Sequence, residues 1–387
     1  MIKLEQSPTV AFGDKVRDRH EAQNDLIPLH IGESNKSTHS NIIDKANSAL
    51  SNGHTKYSAS QGLIELREAI RQKLISFNGF YGVSSDEILI TNGAVHGINI
   101  ALGAILLPGD ECIVIEPMWK TYSSIIYSKS AVPVVIVDSN LENDSIDIDL
   151  IESAISNKTK AIIINTPNNP SGKVYSESFL GKLLELAQEK NFFIISDEVY
   201  ERFYYGGLSH FSIGSMEQHP NKVISVYSFS KSYSMTGWRI GYVIADQDIL
   251  KKILILSQIS ITNLAPFTQM AALEAISCIE VEESVLSFVE EMDDRFSSLK
   301  QYIDDHQLTN FFQIPRAGFY CLINIEKFGN SLTVSNDLLD KFNIALTPGI
   351  SFGNSMDGFL RLSLAAQDKK VIMQALESVK IFLNFNN

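Results

Sequence analysis

From about Asp86 onward, short apolar runs rich in β-branched residues alternate with helical stretches. The pattern predicts strands over Glu87–Thr91, Glu111–Ile115, Val134–Val137, Lys160–Asn165, Phe192–Ser196, Val223–Tyr227 and Trp238–Ala245, with helices over Ala94–Leu106, Thr121–Ser128, Asp149–Ala154 and Ser176–Lys190 between them. Strands that are apolar throughout, separated by helices, belong to a mostly parallel sheet sandwiched by helices on both faces. The chain therefore reads as α/β. After Asp246 the pattern changes to long helices through about Gln301, then to mixed strands and helices at Gly318–Ile325, Ile344–Thr347, Phe359–Leu364 and Lys369–Leu383. These divide the chain into an N-terminal segment (1–45) that belongs with the small domain and closes over the cleft, a large α/β domain (46–280) and a small α+β domain (281–387).

Composition narrows the class. The chain has 387 residues, 44% of them hydrophobic and 20% charged, as in a soluble globular protein long enough for a large core and a cleft. Its net charge of −13 argues against a surface that gathers nucleic acid or anionic lipid, although local basic pockets remain open. Cys112, Cys278 and Cys321 are far apart and never form a CxxC pair, so neither zinc nor disulfides are suggested and reduced thiols are expected. Met1–Val10 lacks the layout of a signal peptide, and no apolar run approaches a membrane span, so the expected location is the cytoplasm. Low-complexity tracts, repeats and Gly/Ser linkers are absent.

In an open parallel sheet, ligands bind at the carboxyl ends of the strands, and unusual residues follow several of these ends. Thr91-Asn92-Gly93-Ala94-Val95 turns from strand to helix with small residues, which lets backbone N–H groups approach a phosphate at a helix N-terminus; an ordinary βα turn has the same look. Asn165-Thr166-Pro167-Asn168-Asn169-Pro170-Ser171-Gly172 is a rigid loop that aims amides outward, or else a plain turn, and Asn169-Pro170 is a place where a cis bond is tolerated. Ile194-Ile195-Ser196-Asp197 runs an apolar strand into a carboxylate that needs a partner if it is buried or, alternatively, caps the next helix; Tyr200 lies three residues on.

Two further segments, which carry three cationic residues, complete the set. Ser228-Phe229-Ser230-Lys231-Ser232 follows Val223–Tyr227, with Arg239 eight residues past Lys231. Two serines, a lysine and an arginine suit a phosphate and an imine, whereas a lysine alone more often sits on a solvated surface. Arg361, in Phe359-Leu360-Arg361-Leu362-Ser363-Leu364, is a charge inside an apolar run; buried, its planar fork matches a carboxylate, and on an edge strand it would join a surface ion pair.

Phosphate cradle, carboxylate, phenol, amide, lysine and carboxylate-binding arginine together match pyridoxal phosphate and an amino acid. From about Ile31 to Leu364 the chain resembles the class I/II aminotransferases of fold type I, above all in Asn168-Asn169-Pro170-Ser171-Gly172, Asp197-Glu198-Val199-Tyr200, Ser228-Phe229-Ser230-Lys231 and Gly237-Trp238-Arg239-Ile240-Gly241. The resemblance implies the fold type I architecture, a large domain that binds pyridoxal phosphate, and a ping-pong exchange of an amino group between an L-amino acid and a 2-oxo acid. It implies that Lys231 forms the Schiff base and then moves the Cα proton, that Asp197 pairs with the pyridine nitrogen, and that Tyr200 and Asn169 bond the ring's O3′. Gly93, Ala94, Ser228, Ser230 and Arg239 would hold the phosphate, and Tyr57 would reach the phosphate of a neighbouring subunit in a homodimer. Trp119 would stack on the ring, a core aromatic being its plainer reading. Arg361, with Asn169 and the backbone at Gly32, would hold the substrate carboxylate.

Some positions depart from the family pattern. In Leu29-His30-Ile31-Gly32-Glu33-Ser34-Asn35, Ser34 stands where a proline is frequent, and His30 is unusual: either a polar residue near the cleft mouth or a substrate contact. Val95 occupies a position where one bacterial type carries a lysine, and Ser260–Pro266 lacks the arginine of another; Lys120 is a candidate substitute, and aspartate specificity stays open. The same fold and lysine also serve lyases, cyclases and replacement enzymes. Aminotransferase-like sensing modules of transcription regulators carry a DNA-binding domain ahead of the fold, and here the resemblance begins within the first few dozen residues.

Overall fold

The apolar runs read as strands do pair into one large sheet. The computed structural model describes residues 8–22, 25–216 and 221–385. In chain order the strands among them are β1 (Ile27–Pro28), β2 (Ile88–Thr91), β3 (Glu111–Glu116), β4 (Val132–Val137), β5 (Thr159–Asn165), β6 (Phe193–Asp197), β7 (Val223–Ser228), β8 (Gly241–Ile244), β9 (Phe312–Gln313), β10 (Tyr320–Asn324), β11 (Ile344–Ala345), β12 (Thr347–Pro348) and β13 (Phe359–Ser363). Seven of them form a sheet in the order β2-β8-β7-β6-β5-β3-β4. All its neighbours pair in parallel except at β8, which is antiparallel to both β2 and β7, so the α/β reading holds.

Strands β2, β6, β7 and β8 are buried on both faces because helices cover both, which is why their sequences are apolar throughout instead of alternating. On one face Ile98 and Leu102 of the helix Gly93–Ile105, Tyr122 and Ile126 of Thr121–Ser128, and Ile249 and Ile253 of Gln247–Ile261 pack on β3, β5, β6 and β7. On the other, Phe179, Leu180 and Leu183 of Glu177–Lys190 pack on Ile113, Ile162 and Ile194. That helix shows why its limits were legible: Ser176 caps it by accepting from the Phe179 N–H, Glu177 complements the N-terminal dipole, and Asn191 ends it with φ +61°.

A second core surrounds the four-stranded sheet β12-β13-β10-β9, where Phe288, Met292 and Leu299 of the helix Ile279–Asp305 meet Phe319, Leu360, Leu362, Leu376 and Val379. The chain enters this region early: β1 pairs in parallel with β11, and Phe12 and Val16 of the helix Pro8–Ala22 pack with Leu26, Leu339 and Ala345. Of the Met1–Val10 stretch read for a leader, residues 1–7 lie outside the described residues.

One boundary differs from expectation. The strand expected from Trp238 begins only at Gly241, because Thr236–Trp238 is a 3₁₀ turn and Arg239 has φ +55°, which no strand tolerates. Cys112, Cys278 and Cys321 are free thiols. Among the described residues no helix is long and apolar enough to cross a membrane, and no group of three or more His, Cys, Asp or Glu could hold a metal ion.

Candidate active site

Strands β3, β5, β6 and β7 all end at one edge of the sheet, and a cavity of about 340 Å³ lies there between the two cores. Asp197, the last residue of β6, is buried on its wall. Tyr122 Oη donates to Asp197 Oδ2 at 2.5 Å and the Val199 N–H donates to Oδ1 at 3.3 Å. Burial nevertheless pushes this carboxyl up to about 6, against the pull of Tyr122 and the nearby Lys231.

Lys231 is positioned by the short helical turn Phe229–Ser232 that follows β7. Ser228 caps that turn, accepting from the Ser230 N–H at 3.1 Å and donating to Ser230 Oγ at 2.9 Å. Lys231 Nζ donates to the Gly32 carbonyl at 2.6 Å and lies 5.8 Å from the Tyr200 ring centre. Tyr200 and Tyr320 share a hydrogen bond between their hydroxyls at 2.8 Å, and burial raises the Tyr200 phenol well above its ordinary range.

Arg361 lies on β13, between β12 and β10, so the edge-strand reading of this residue does not hold. It is buried, with Nη1 donating to Asn169 Oδ1 at 2.9 Å and Nη2 to the His30 carbonyl at 2.7 Å and Thr347 Oγ1 at 3.2 Å. Its guanidinium carbon lies 4.2 Å from the Tyr320 ring centre and 4.8 Å from that of Phe352. Nε has no partner, and among the described residues no carboxylate side chain forms an ion pair with Arg361. A buried cation held only by neutral acceptors is poised for an anion. Asn169 is itself fixed, its N–H donating to Asn165 Oδ1 at 2.7 Å, and the bond from Asn169 to Pro170 is cis.

At the other end, Gly93 (φ +74°) opens the helix Gly93–Ile105, and a Cβ there would stand 2.5 Å from Arg239 Nη2. Gly241 permits an equally close approach, since its Cβ would lie 2.5 Å from the Tyr227 carbonyl and 3.1 Å from the Ala94 nitrogen. The glycines thus draw the helix N-terminus, the Ser228–Ser230 turn and the Arg239 guanidinium together, and Ala94, Ser228, Ser230 and Arg239 face the cavity. Gly93 lies behind that wall, against the guanidinium. Although the chain is acidic, the wall carries Lys231, Arg239 and Arg361 against Asp197 and Glu33.

Trp119 lines the cavity, edge-on to Tyr122 with ring centres 5.5 Å apart. Gly32 does too, and a Cβ there would lie 2.5 Å from the Tyr320 hydroxyl. Two expected residues sit elsewhere. The His30 ring turns away to meet Phe12 edge-on at 5.8 Å, and its Nδ1 is buried without a partner. Burial and Arg361 lower this imidazole to about 4, and only the His30 backbone carbonyl reaches the site. Tyr57 is 88% exposed and off this chain's cavity wall. Tyr122 and Tyr320 carry no signal of their own in the sequence, where both read as aromatics of a helix and a strand, whereas Asn165 opens the amide-rich loop read there.

The family described as "Aminotransferase class I and II" matches residues 24–379. A protein of Aquifex aeolicus named "Probable aspartate/prephenate aminotransferase" is 35% identical over 381 residues, covering 95% of this chain and 94% of its own. A "(5-formylfuran-3-yl)methyl phosphate transaminase" of Methanocaldococcus jannaschii is 36% identical over 361 residues, covering 93% and 92%. The crystal structure of an aspartate aminotransferase from Thermotoga maritima superposes with a TM-score of 0.91 at 30% identity, covering 99% of this chain and 98% of that one. The chain belongs to the class I and II aminotransferases. It is a pyridoxal-phosphate-dependent transferase of amino groups with the fold type I architecture.

Proposed function

We propose that this aminotransferase holds pyridoxal phosphate through Lys231 and moves an amino group between an L-amino acid and a 2-oxo acid in two half-reactions. The observation that carries the reading is the short span from His30 to Gly32: its two carbonyls tie the buried, carboxylate-seeking Arg361 and the amine of Lys231 to points two residues apart. An amino acid bound by its carboxylate to Arg361 therefore presents its Cα to Lys231.

The donor set fits the cofactor. The Gly93–Ala94 helix start, Ser228, Ser230 and Arg239 suit a phosphate; Asp197 suits a protonated ring nitrogen; Tyr200 and Asn169 suit a ring oxygen; and Trp119 supplies a flat face. When bound, pyridoxal phosphate supplies the sink for the electron pair left at Cα. Asp197 keeps the ring nitrogen charged, Tyr122 holds that carboxylate in place, and Lys231 Nζ takes the Cα proton and returns it. Tyr57, exposed here, reaches the phosphate of a neighbouring copy in a homodimer. Segments 1–45, 46–280 and 281–387 are the proposed division, with the helices Ser40–Ser51 and Ile279–Asp305 running across its two bounds and Val199, Tyr200 and Phe203 packing into the second core, and the proposed location is the cytoplasm.

The relatives' names cover aspartate, prephenate and a furanyl phosphate. On this wall Glu33, Val95, Ile98, Val199 and Thr236 stand beside the groups assigned above, and Lys120 is not on it, so the lining residues add no further cation for a distal carboxylate. The test is Lys231→Ala together with wild type, scanned by absorbance against single amino acids, with mass spectrometry of the products. Wild type should bleach the aldehyde form and release a stoichiometric 2-oxo acid, while the variant should do neither; turnover by the variant at a comparable rate would overturn the assignment.

A further inference from the structure

Asp197 is followed at once by a second buried carboxylate that takes no part in the cavity wall. Glu198 is completely buried and accepts four hydrogen bonds: from Ser196 Oγ at 2.8 Å, Ser212 Oγ at 3.0 Å, Tyr227 Oη at 2.9 Å and His210 Nε2 at 2.8 Å. Three of those donors are neutral hydroxyls. The fourth is an imidazole whose side chain is almost wholly buried, stacked on Phe77 with the planes 12° apart and joined through Nδ1 to Tyr204 Oη at 2.9 Å. The Tyr204 hydroxyl is also hydrogen-bonded to Thr166.

The other charges around this group are already committed. Lys73, from the helix Ile64–Ser76, is paired with Glu201, which also accepts from Asn78 Nδ2 at 2.8 Å. Arg202 is paired with Glu282 of the helix Ile279–Asp305. Asp197, Glu198 and Glu201 are thus three buried carboxylates, with the partly buried Lys73 paired to Glu201 and Lys231 on the cavity side. Adjacent carboxylates in a poorly polarisable interior repel, and the charge of Glu198 raises the proton affinity of Asp197. Among the described residues, His210 is the basic side chain hydrogen-bonded to Glu198.

We propose that His210 is a positioning residue for Asp197: by bringing a positive charge to Glu198 it cancels the repulsion of the neighbouring carboxylate and keeps Asp197 ionised toward the ring nitrogen of the cofactor. The inference rests on the cofactor reading above. It treats the Glu198–His210 pair as part of what sets cofactor affinity and not only as packing.

The experiment is equilibrium dialysis of pyridoxal phosphate against wild type, His210→Gln, Glu198→Gln and the double variant, with melting temperatures measured alongside. Measured at pH 5, below the value of about 6 to which Asp197 is raised, His210→Gln should bind the cofactor about tenfold more weakly, the effect of one unit of added proton affinity at Asp197, and the difference should shrink toward pH 8. The double variant should return to within about twofold of wild type, because removing the Glu198 charge removes the need for the histidine. Glu198→Gln alone should bind at least as tightly as wild type, which keeps the proposal testable if the histidine variant does not fold. Unchanged binding by His210→Gln, a double variant as weak as the single, or tenfold weaker binding by Glu198→Gln would each overturn it. Failure of wild type to bind the cofactor would overturn the proposed function instead.

Discussion

The two ends of the cavity solve opposite problems by opposite means. At one end Arg361, a group charged at every working pH, is buried and held by Asn169, Thr347 and the His30 carbonyl, with two aromatic rings against its plane. At the other end Asp197 can shed its charge, and burial pushes it toward doing so. The arginine end is therefore permanently set for an anion. The aspartate end depends on what it meets, and its neighbours, Tyr122 in front and Glu198 behind, pull its charge in opposite directions. A cavity built this way fixes one ligand group by geometry and the other by a proton balance.

The largest effect should come from breaking the aspartate end. Asp197→Asn keeps the size of the side chain and removes its charge, so the ring nitrogen loses its partner in both binding and chemistry. Breaking a buried ion pair costs about 3–5 kcal/mol, which corresponds to a loss of roughly 100- to 1000-fold or more in kcat/KM. Steady-state kinetics with saturating cofactor measures it, and a loss below about tenfold would show that Asp197 does not face the ring nitrogen.

The arginine end should break more gently and in a different parameter. Arg361→Lys keeps the positive charge but discards the planar fork that Asn169 and the His30 carbonyl align. Losing one charge-assisted hydrogen bond of about 1.5–3 kcal/mol should raise KM for the amino acid by about 10- to 100-fold. Cofactor affinity, measured by dialysis, should stay within about twofold. Loss of the cofactor with unchanged KM would place Arg361 at the wrong end.

Much of this contrast was legible in the chain because parallel strands are apolar throughout, so a polar residue at the end of one stands out. Asp197, Asn165 and Ser228 end such runs, and Arg361 interrupts an apolar run in β13, which is antiparallel to both its neighbours but buried like them. Backbone contributions and periodicity hid the rest. Tyr122 and Tyr320 lie within a helix and a strand whose aromatics otherwise fill the core, and only the packing of one element on another turns their hydroxyls to Asp197 and Tyr200. His30 was noticed for its imidazole, whereas its carbonyl reaches the site, and a carbonyl has no letter in a sequence. Arg239 was read into a strand because nothing in Gly237-Trp238-Arg239 announces the left-handed turn that aims it.

The smallest effect sharpens the comparison most, because it moves only the proton balance. The Tyr122 phenol is itself held far above its ordinary range, so it remains a donor to Asp197 throughout the working pH range. In Tyr122→Phe the carboxylate loses that donor, and its affinity for a proton must rise further above the ordinary carboxylate value. For an acid whose folded-state value is raised to about 6, the folded, cofactor-free protein holds an extra proton between about 4 and 6, so its stability falls as pH rises through that window. Cofactor capture needs the ionised form and is lost in the other direction, as pH falls through about 6. Removing a hydrogen bond to a charged group worth about 1.5 kcal/mol or more should move the capture midpoint up by about one pH unit. Dialysis of pyridoxal phosphate from pH 5 to 8 reads the shift directly. The arginine end supplies the control, since Arg361 does not titrate there and the Arg361→Lys midpoint should stay where wild type has it; an unmoved midpoint in Tyr122→Phe would mean that burial alone governs the Asp197 charge.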